Sequence, residues 1–453
     1  MAHGGGGGGL SNLHGGILKW ADSYGINLVV VVAPLGLFMM LFALWWIDID
    51  LGRWFGFMFF TSPFWLPYIL FHVMHYWWFE YINLDFDLAQ GRTTLELKFP
   101  QEVFKSPLAM EIVLTYLYQA ANPDNLIETY WDGKRPPRFG LEIASFGGDI
   151  HFYISTPVKK FKNMWEAQLY AQYPGIVITE LEHDYTGRIP WDPKKYQYFS
   201  LRFGLKRPDI MPIKTYVDFG LDKDPKEEFK IDPLSAIVEF LGTMQKGENL
   251  WVQLRIYAHR EEIFKTGSLH ASSDWMPDMK ARINEILQRD PTGKGALDTE
   301  SSPRVSPGER ELAATLERHA SKFAFNAGLR VMYIAESAKY SPGERIGAII
   351  SMWRPFEDRM RNGFGLKWRT DFDWNWWQDP KGRRRARYKK TEFREYKLRY
   401  FNKKENGDKP FILSTEEIAS LYHPVGEVVR TPTLERVPSA RAEAPANLPR
   451  ATS

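Results

Sequence analysis

The sequence predicts an α+β protein in which a two-helix transmembrane hairpin precedes a cytoplasmic region of mixed strands and helices. Two long apolar stretches without charge, at 26–47 and 54–79, support the hairpin. Beyond them, the apolar/polar alternation typical of strands is interleaved with the apolar spacing of helices. The chain of 453 residues contains 15 % aromatic residues, which is too apolar a composition for a disordered protein.

A flexible Gly-rich tail is predicted at 1–25, and the transmembrane hairpin at 26–80. As a helix, the stretch 26–47 would be about 33 Å long, enough to cross a hydrocarbon core of about 30 Å. A short polar turn separates it from the second stretch, 54–79. Because a second apolar run follows almost at once, the pattern disfavours a cleaved signal peptide.

The basic residues around the hairpin predict its orientation. Both chain segments that flank the hairpin carry cations, whereas the turn between its helices has only Arg53. The flanking cations are Lys19 before the hairpin and Arg92, Lys98 and Lys105 after it. Positively charged loops favour the cytoplasmic side of a membrane. We therefore expect a multi-pass protein of the inner (cytoplasmic) membrane with both termini in the cytoplasm and the lipid bilayer as a partner.

The soluble part is predicted to form two α+β regions, at 92–260 and 261–430. In the first, β-rich runs on either side of Gly147-Gly148 predict a hairpin, since Gly supplies the positive φ that a tight turn needs. A helix from Pro157 and a further strand complete a β-β-α-β unit, and a related unit follows it. Such alternation suggests ferredoxin-like layers rather than a doubly wound parallel sheet.

Capping residues predict where several helices begin. Asp232 precedes a Pro at one start, the arrangement that caps a helix. The pentapeptide SPGER occurs at 306–310 and again at 341–345, each time with Ser as the cap and Glu closing a capping box. Convergent capping chemistry is favoured over true duplication of these segments. Ser414 and Glu417 form another predicted capping box, for a helix that ends near residue 422.

Two segments lack the periodicity of helices and strands. The insertion at 290–306 is predicted to be disordered, and 431–453 is predicted to be an extended Pro/Ala-rich tail. Lys294 in the insertion is followed by Gly where a phosphate-binding loop has Ser or Thr, so the sequence disfavours ATP binding there.

The sequence contains no recognisable catalytic constellation. It has no Cys, which excludes a thiolate nucleophile, and no Ser/His/Asp arrangement stands out. His72 and His75 are spaced to face one ligand, but interfacial or bundle-facing His is favoured over a haem or metal site. We therefore expect a non-enzymatic protein with no cofactor and no metal. A membrane glycosyltransferase that uses an Asp-x-Asp metal site is an alternative, with these pairs: Asp48/Asp50, Asp85/Asp87, Asp222/Asp224 and Asp371/Asp373.

A local basic patch at 381–404 contains twelve Lys and Arg against two Glu, although the whole chain has a net charge of only +3. Trp residues lie close to it in the sequence. Cations beside aromatic rings suit binding to nucleic acid or to anionic lipid head groups, and they also suit a helix that is simply solvated or faces a partner. The sequence leaves these alternatives open. The candidate contact residues are Arg383, Arg384, Arg385, Arg387, Lys389, Lys390, Trp376 and Trp377.

Four segments, taken in order, resemble the N-terminal, non-ATPase region of bacterial type IV secretion and conjugation ATPases of the HerA/FtsK superfamily. "LEIASFGGDIHFYISTPVKKFKNMWEAQLYAQYPGIVITE" and "KGENLWVQLRI" come first. "SPGERELAATLERHASKFAFNAGLRVMYIAE" follows, and "PFILSTEEIASLYHPVGEVVRTPTLERVPSARAEAPANLP" resembles the stretch that leads into the motor domain of that family.

The resemblance implies an α+β scaffold behind membrane helices, similar to a coupling protein. No Walker motif appears in the chain, so no ATPase residue is carried over. We therefore expect a membrane-anchored subunit of a DNA or protein transfer machine that presents a cytoplasmic platform to a separately encoded P-loop ATPase. DNA or anionic lipid, and further copies of the chain, are additional expected partners. Membrane-associated nucleic-acid binding through the basic patch is the main alternative function.

Overall fold

The computed structural model describes residues 51–100, 105–119, 126–223, 231–259, 263–264, 271–272, 275–287, 305–370, 379, 381–400 and 410–425. The predicted first membrane span at 26–47 and both predicted tails lie outside these residues, as does nearly all of the predicted insertion. The chain divides into two compact units, one of 1–84 and 371–388 and one of 85–370 and 389–453. Each unit is described in turn.

The first unit contains most of a single 40-residue helix, α1 (Leu51–Gln90), which includes the second predicted membrane span. Among the described helices only its segment Phe55–Gln90 has the length and hydropathy needed to cross a membrane, and none of the most apolar part is buried. Phe59 and Phe64, for example, are 82 % and 84 % exposed. The helix ends at Gln90 and is followed by Gly91, whose φ of 64° suits Gly, and the first strand of the sheet begins at Arg92.

The second unit is built on a nine-stranded sheet, with a separate pair of two-residue strands. The strands are β1 (Arg92–Lys98), β2 (Arg138–Phe146), β3 (Asp149–Pro157), β4 (Val177–Glu180), β5 (Tyr196–Leu205), β6 (Glu248–Ala258), β7 (Ile263–Phe264), β8 (Ala271–Ser272), β9 (Ala324–Glu336), β10 (Phe364–Arg369) and β11 (Phe411–Ser414). The helices after α1 are α2 (Leu108–Leu117), α3 (Leu126–Tyr130), α4 (Val158–Gln172), α5 (Pro233–Gly242), α6 (Met276–Ile286), α7 (Pro307–Ala320), α8 (Pro342–Ser351), α9 (Arg383–Leu398) and α10 (Thr415–Leu421).

The strand order is β10-β5-β9-β6-β2-β3-β1-β4, and every neighbouring pair is antiparallel. The α+β class and the antiparallel hairpins are therefore confirmed. The order contains a repeat when each half is read from its edge of the sheet toward the middle. One half then reads β4-β1-β3-β2 and the other β10-β5-β9-β6, and in both the strands come in the order fourth, first, third and second along the chain. In each half a strand and a helix precede two antiparallel strands, and a second helix leads to the last strand. The halves meet where β2 pairs with β6, and β11 adds to the edge of β9 beside β5.

Along the chain, the first half of the repeat ends at β4 and the second begins at β5, so the division falls near residue 190, whereas the predicted regions meet at residue 260. The predicted β-β-α-β unit is present as β2, β3, α4 and β4. However, β4 pairs with β1 rather than with β3, so the earlier strand β1 lies inside the unit. The predicted turn between β2 and β3 is confirmed, since Gly147 and Gly148 both have positive φ, 63° and 103°.

One face of the sheet is covered by helices α2, α4, α5, α8 and α10, which share the largest apolar core with it. Trp165 of α4 is fully buried there, with its ring 5.5 Å from that of Phe139 in β2. Strand residues alternate between the two faces, so the neighbours of these core residues point to the opposite side. A smaller cluster joins α6 and α7 around Trp275 and Leu316.

The predicted helix caps are confirmed at three starts and wrong at one. Asp232 accepts a hydrogen bond from the backbone N–H of Leu234, and the capping boxes at Ser306 and Ser414 are both complete. Ser341, in the second copy of SPGER, makes no side-chain cap. Its φ of −128° and ψ of 68° differ from the extended backbone that lets a Ser side chain reach the first helical N–H groups.

Candidate functional site

The predicted basic patch lies mainly on helix α9, whose two halves have different surroundings. The C-terminal half is packed on the second face of the sheet, where Phe393 and Tyr396 are buried beside Trp251. The N-terminal half, from Arg383 to Arg387, is exposed on all sides. The site is therefore built in two parts: a buried contact that fixes the helix, and an exposed basic segment.

The buried contact begins with a row of polar side chains across the second face. These residues stand opposite one another in the strand register, one each from β5, β9, β6 and β2, and we call them the polar row: Arg202, Arg330, Gln253 and Glu142. All four are buried. Buried charges are costly unless they are paired, so the row requires partners above it.

Helix α9 supplies acidic partners for the arginines of the polar row. Arg202 pairs with Glu392 and donates to Glu395 over 2.6 Å. The guanidinium of Arg330 lies within 3.9 Å of the same two carboxylates. Glu392 and Glu395 are three residues apart, so they project from one face of the helix toward the sheet. Their charge therefore holds the C-terminal half of α9 against the sheet.

The residue after α9 supplies the basic partner for the acid of the polar row. Arg399 donates to both carboxylate oxygens of Glu142, over 2.9 and 3.0 Å, and also pairs with Asp184. Arg399 has a φ of 52°, an uncommon value for a residue with a side chain. Burial alone would lower the pKa of Arg399, but the charges and hydrogen bonds of Glu142 and Asp184 outweigh it and hold the pKa above its usual value.

Aromatic rings fill the remaining space under α9. Tyr153 and Tyr185 are stacked with ring centroids 4.4 Å apart, and the hydroxyls of Tyr185 and Tyr396 lie 3.1 Å apart. Burial raises the pKa of both Tyr185 and Tyr396 well above the usual value for a phenol. The second face is thus a packed interior around the polar row, and the accessible part of α9 is its basic segment.

Four cations form one exposed face of α9: Arg383, Arg387, Lys390 and Arg394. Their spacing of four, three and four residues places them on one side of a helix, over about 16 Å, opposite the side that Glu392 and Glu395 turn to the sheet. We call them the cationic stripe. In the described part of the chain none of the four forms an ion pair. The candidate set drawn from the sequence omits Arg394, although the helical spacing alone would have added it.

The other candidate residues lie off the stripe. Arg384 is 5.9 Å from the ring of Tyr388, and Lys389 is 5.5 Å from the ring of Tyr340. Arg385 is exposed, whereas Trp376 and Trp377 lie outside the described residues. The structure therefore brings three of the six basic candidates together on one face.

Asp379 supports the start of α9. Its carboxylate accepts hydrogen bonds from the backbone N–H groups of Arg384 and Arg385, over 3.1 and 2.9 Å. These bonds, with that from Arg385 the strongest influence, lower the pKa of Asp379. No acidic residue occupies the first turn, so Asp379 alone among the described residues offsets the unfavourable placement of cations at this end of the helix dipole.

The cations of the predicted basic patch at 381–404 do not form one continuous surface. The prediction of a single basic patch is corrected, because part of its positive charge is not accessible. Arg399 is buried in its pair with Glu142, and the Lys397 ammonium lies 4.5 Å from the ring of Phe393. Burial lowers the pKa of Lys397. The positive charge of Arg399 therefore stabilises the contact of α9 with the sheet and is not part of an accessible surface. Residues 401–409 lie outside the described part.

The acidic and histidine candidates are placed as follows. Asp87 pairs with Arg135 and lies 3.4 Å from Arg138, so this Asp-x-Asp member is engaged by cations, and Asp222 is exposed. Members of the other pairs at 48, 50, 224, 371 and 373 lie outside the described residues. Within the described ranges no three His, Asp or Glu residues cluster as metal ligands. His72 and His75 lie beside aromatic rings of α1.

A cleft of about 450 Å³ lies at the β1–β4 edge of the sheet and has a polar lining. Two of its carboxylates already have partners: Glu180 pairs with Lys162 and accepts from Thr93, and Asp184 pairs with Arg399. Arg92, also in the lining, donates to Ser155 and to the Arg138 carbonyl oxygen. The polar groups that line the cleft therefore bond mainly to other residues of the fold.

The fold and the site define an α+β protein with a repeated strand order, an exposed apolar helix and a cationic stripe. The chain belongs to the family described as Domain of unknown function (DUF8128), whose model matches residues 131–433, about two thirds of the chain. The match begins ahead of β2 and extends past α10, and it includes all of α9. No curated protein matches the chain.

Proposed function

We propose that this protein is a membrane-anchored, non-enzymatic scaffold whose α+β unit serves as a cytoplasmic platform. The observation that supports the proposal is α1, an apolar helix of spanning length whose side chains are exposed along its apolar part. Exposed apolar surface of this extent is costly in water and is stabilised by lipid. Gly91 alone separates α1 from β1 in the chain.

The proposal has two finer structural parts. We propose that 26–47 is the partner of α1 in a two-helix hairpin, supported by its uncharged apolar sequence. We also propose that each half of the sheet is a ferredoxin-like unit. The repeated strand order and the two helices of each half on the same face support this second part.

The larger assembly is also part of the proposal: a type IV secretion or conjugation-like machine that transfers DNA or protein, with a separately encoded P-loop ATPase as partner. Its support is the ordered resemblance of four segments to the non-ATPase region of such motors. The resembling segments include β2, β3, α4 and β4 and the region around α10. A platform with helices on one face and α9 on the other offers broad surfaces for a partner of this kind.

The anchor is tested by extraction of membranes with alkaline carbonate and by cysteine labelling. The chain has no Cys, so single cysteines report cleanly. We expect the full chain to resist extraction, a Cys at Lys194 to be labelled only from the cytoplasmic side, and a Cys at Asp50 only from the opposite side. F59R/F64R should increase the extracted fraction, since each Arg in a span costs about 3 kcal/mol and 26–47 would be left as the remaining span. Release of the wild-type chain by carbonate would contradict the anchor.

A matched control replaces two exposed residues of the platform, K194Q/K280Q, and should leave extraction unchanged. The partner is tested separately by purification of the tagged full chain in mild detergent. A P-loop ATPase that co-elutes in stoichiometric amount supports the transfer-machine proposal. If no such ATPase co-elutes from cells that assemble the machine, this part of the proposal is lost while the anchor stands.

A further inference from the structure

We infer that the cationic stripe of α9 is a binding site for the phosphate head groups of anionic lipids. The stripe residues Arg383, Arg387, Lys390 and Arg394 are exposed, and no carboxylate of the described residues is paired with them. A row of cations about 16 Å long, with no partner of opposite sign among the described residues, is complementary in charge to an anionic leaflet. This inference rests on the proposed membrane anchor and specifies which lipids the protein prefers.

The location of the stripe favours lipid over nucleic acid. The first compact unit contains the apolar helix up to Leu84 together with the start of α9 up to Tyr388. The beginning of the stripe is thus in the same unit as the candidate membrane span. Basic residues next to a span on the cytoplasmic side meet the negative surface of the inner leaflet.

The geometry of α9 supports the same choice. A helix that reads duplex DNA lies in the major groove, where its side chains reach base edges. The second half of α9 has one side packed on the sheet through Phe393 and Tyr396, so only the opposite side is accessible. The four stripe cations lie in a row on the side of α9 that is accessible in both halves of the helix, and such a row suits a planar surface of head groups.

The residue choice supports a phosphate-binding role. Cations at the start of a helix oppose the helix dipole, which favours anions there. The chain places Arg383 in the first turn of α9, with Asp379 beside it as a cap. Arg presents a planar set of donors that binds phosphate oxygens in pairs, and three of the four stripe residues are Arg.

The test uses the full chain in neutral detergent micelles, titrated with dioctanoyl-phosphatidylglycerol and, as the matched zwitterionic lipid, dioctanoyl-phosphatidylcholine. Binding is measured by calorimetry at low and high salt. The variant R383Q/R387Q/K390Q/R394Q removes the stripe, and Gln keeps the helix propensity. Each cation near an anionic surface contributes a factor of about five, so we expect the dissociation constant for phosphatidylglycerol to rise at least about 100-fold.

Two further variants serve as controls. K194Q/K280Q/R310Q/R359Q removes the same charge from exposed positions outside α9 and should bind phosphatidylglycerol like the wild type. R383K/R387K/R394K keeps the charge but loses the paired donors of Arg, so it should bind phosphatidylglycerol more weakly than the wild type and more tightly than the Gln variant. Circular dichroism of the Gln variant should match the wild type, because the stripe has no partner among the described residues whose loss would unfold α9.

Several outcomes would overturn the inference. One is equal binding of the two lipids by the wild type, and another is unchanged phosphatidylglycerol binding in the Gln variant. Competition by inorganic phosphate at equal concentration would assign the stripe to free anions. Stripe-dependent binding of short duplex DNA without lipid preference would assign it to nucleic acid. Carbonate extraction distinguishes these results from failure of the anchor, because the Gln variant leaves α1 intact and should stay in the membrane.

Discussion

Arg399 donates to both carboxylate oxygens of Glu142, over 2.9 and 3.0 Å, although 257 residues separate the two in the chain. Both side chains are almost fully buried, at 3 % and 0 % exposure. The pair joins the residue after α9 to the central strand β2. It therefore anchors the end of the helix that carries the cationic stripe to the middle of the sheet.

The first prediction concerns this pair. R399M should lower the free energy of unfolding by about 3–5 kcal/mol, because it leaves Glu142 charged and buried without its main partner. The double variant R399M/E142Q should recover a large part of that loss. Chemical denaturation of the full chain in detergent, followed by tryptophan fluorescence, measures both. Additive effects of the two single changes would show that the residues are not coupled.

The second prediction concerns the acidic face of α9. E392Q/E395Q removes the charges that compensate Arg202 and Arg330, so the C-terminal half of the helix should detach from the sheet more often. We expect trypsin to cleave within α9 at least about 10-fold faster than in the wild type, as expected for an opening that becomes about 1.4 kcal/mol easier. R310Q, an exposed change on α7, is the control. Equal cleavage rates would mean that these pairs do not hold the helix.

The third prediction is a pH effect from His319. Burial lowers the pKa of His319 to about 4, and its Nδ1 lies 3.4 Å from Glu417 Oε2. The unfolded chain takes up this proton near pH 6.5, so the stability contributed by His319 falls as the pH decreases from about 6.5 to 4. Burial also raises the pKa of Glu417 to about 7. The stability contributed by Glu417 therefore changes in the opposite sense to that of His319, and it falls as the pH rises from about 4.5 to 7.

Because the two effects oppose each other, the difference between variants is the useful measurement. We expect H319Q to be less stable than the wild type at pH 7, and the gap to narrow by about 3 kcal/mol on going to pH 4. Denaturation curves at several pH values give this difference directly. A gap that stays constant with pH would rule out a neutral buried His319.

The fourth prediction compares the two copies of SPGER. S306A should destabilise the protein by about 1 kcal/mol, because it removes the acceptor for the backbone N–H of Glu309. S341A should change the stability by less than about 0.5 kcal/mol, because Ser341 makes no cap. Each variant is the control for the other in the same denaturation experiment. A similar loss in both would contradict the different geometries of the two helix starts.

Local features were predictable because their causes are local. The Gly147-Gly148 turn, the Asp232 cap and the capping box of Ser414 with Glu417 each depend on residues within a few positions of one another. The apolar character of α1 likewise follows from composition alone. For the candidate site, the sequence shows the basic segment, while its division into a stripe and a buried side required the position of the sheet.

By itself, then, the sequence determined the α+β class, the antiparallel hairpin of β2 and β3, one apolar helix and most helix starts. Only the tertiary structure decided that β1 lies between β3 and β4, that Ser341 does not cap, and that Arg399 faces Glu142. Strand order and buried ion pairs join residues far apart in the chain. The energies of strand pairing and of buried ion pairs depend on burial and on partners from several elements. Short-range patterns of apolar and capping residues do not show which distant residues those partners are.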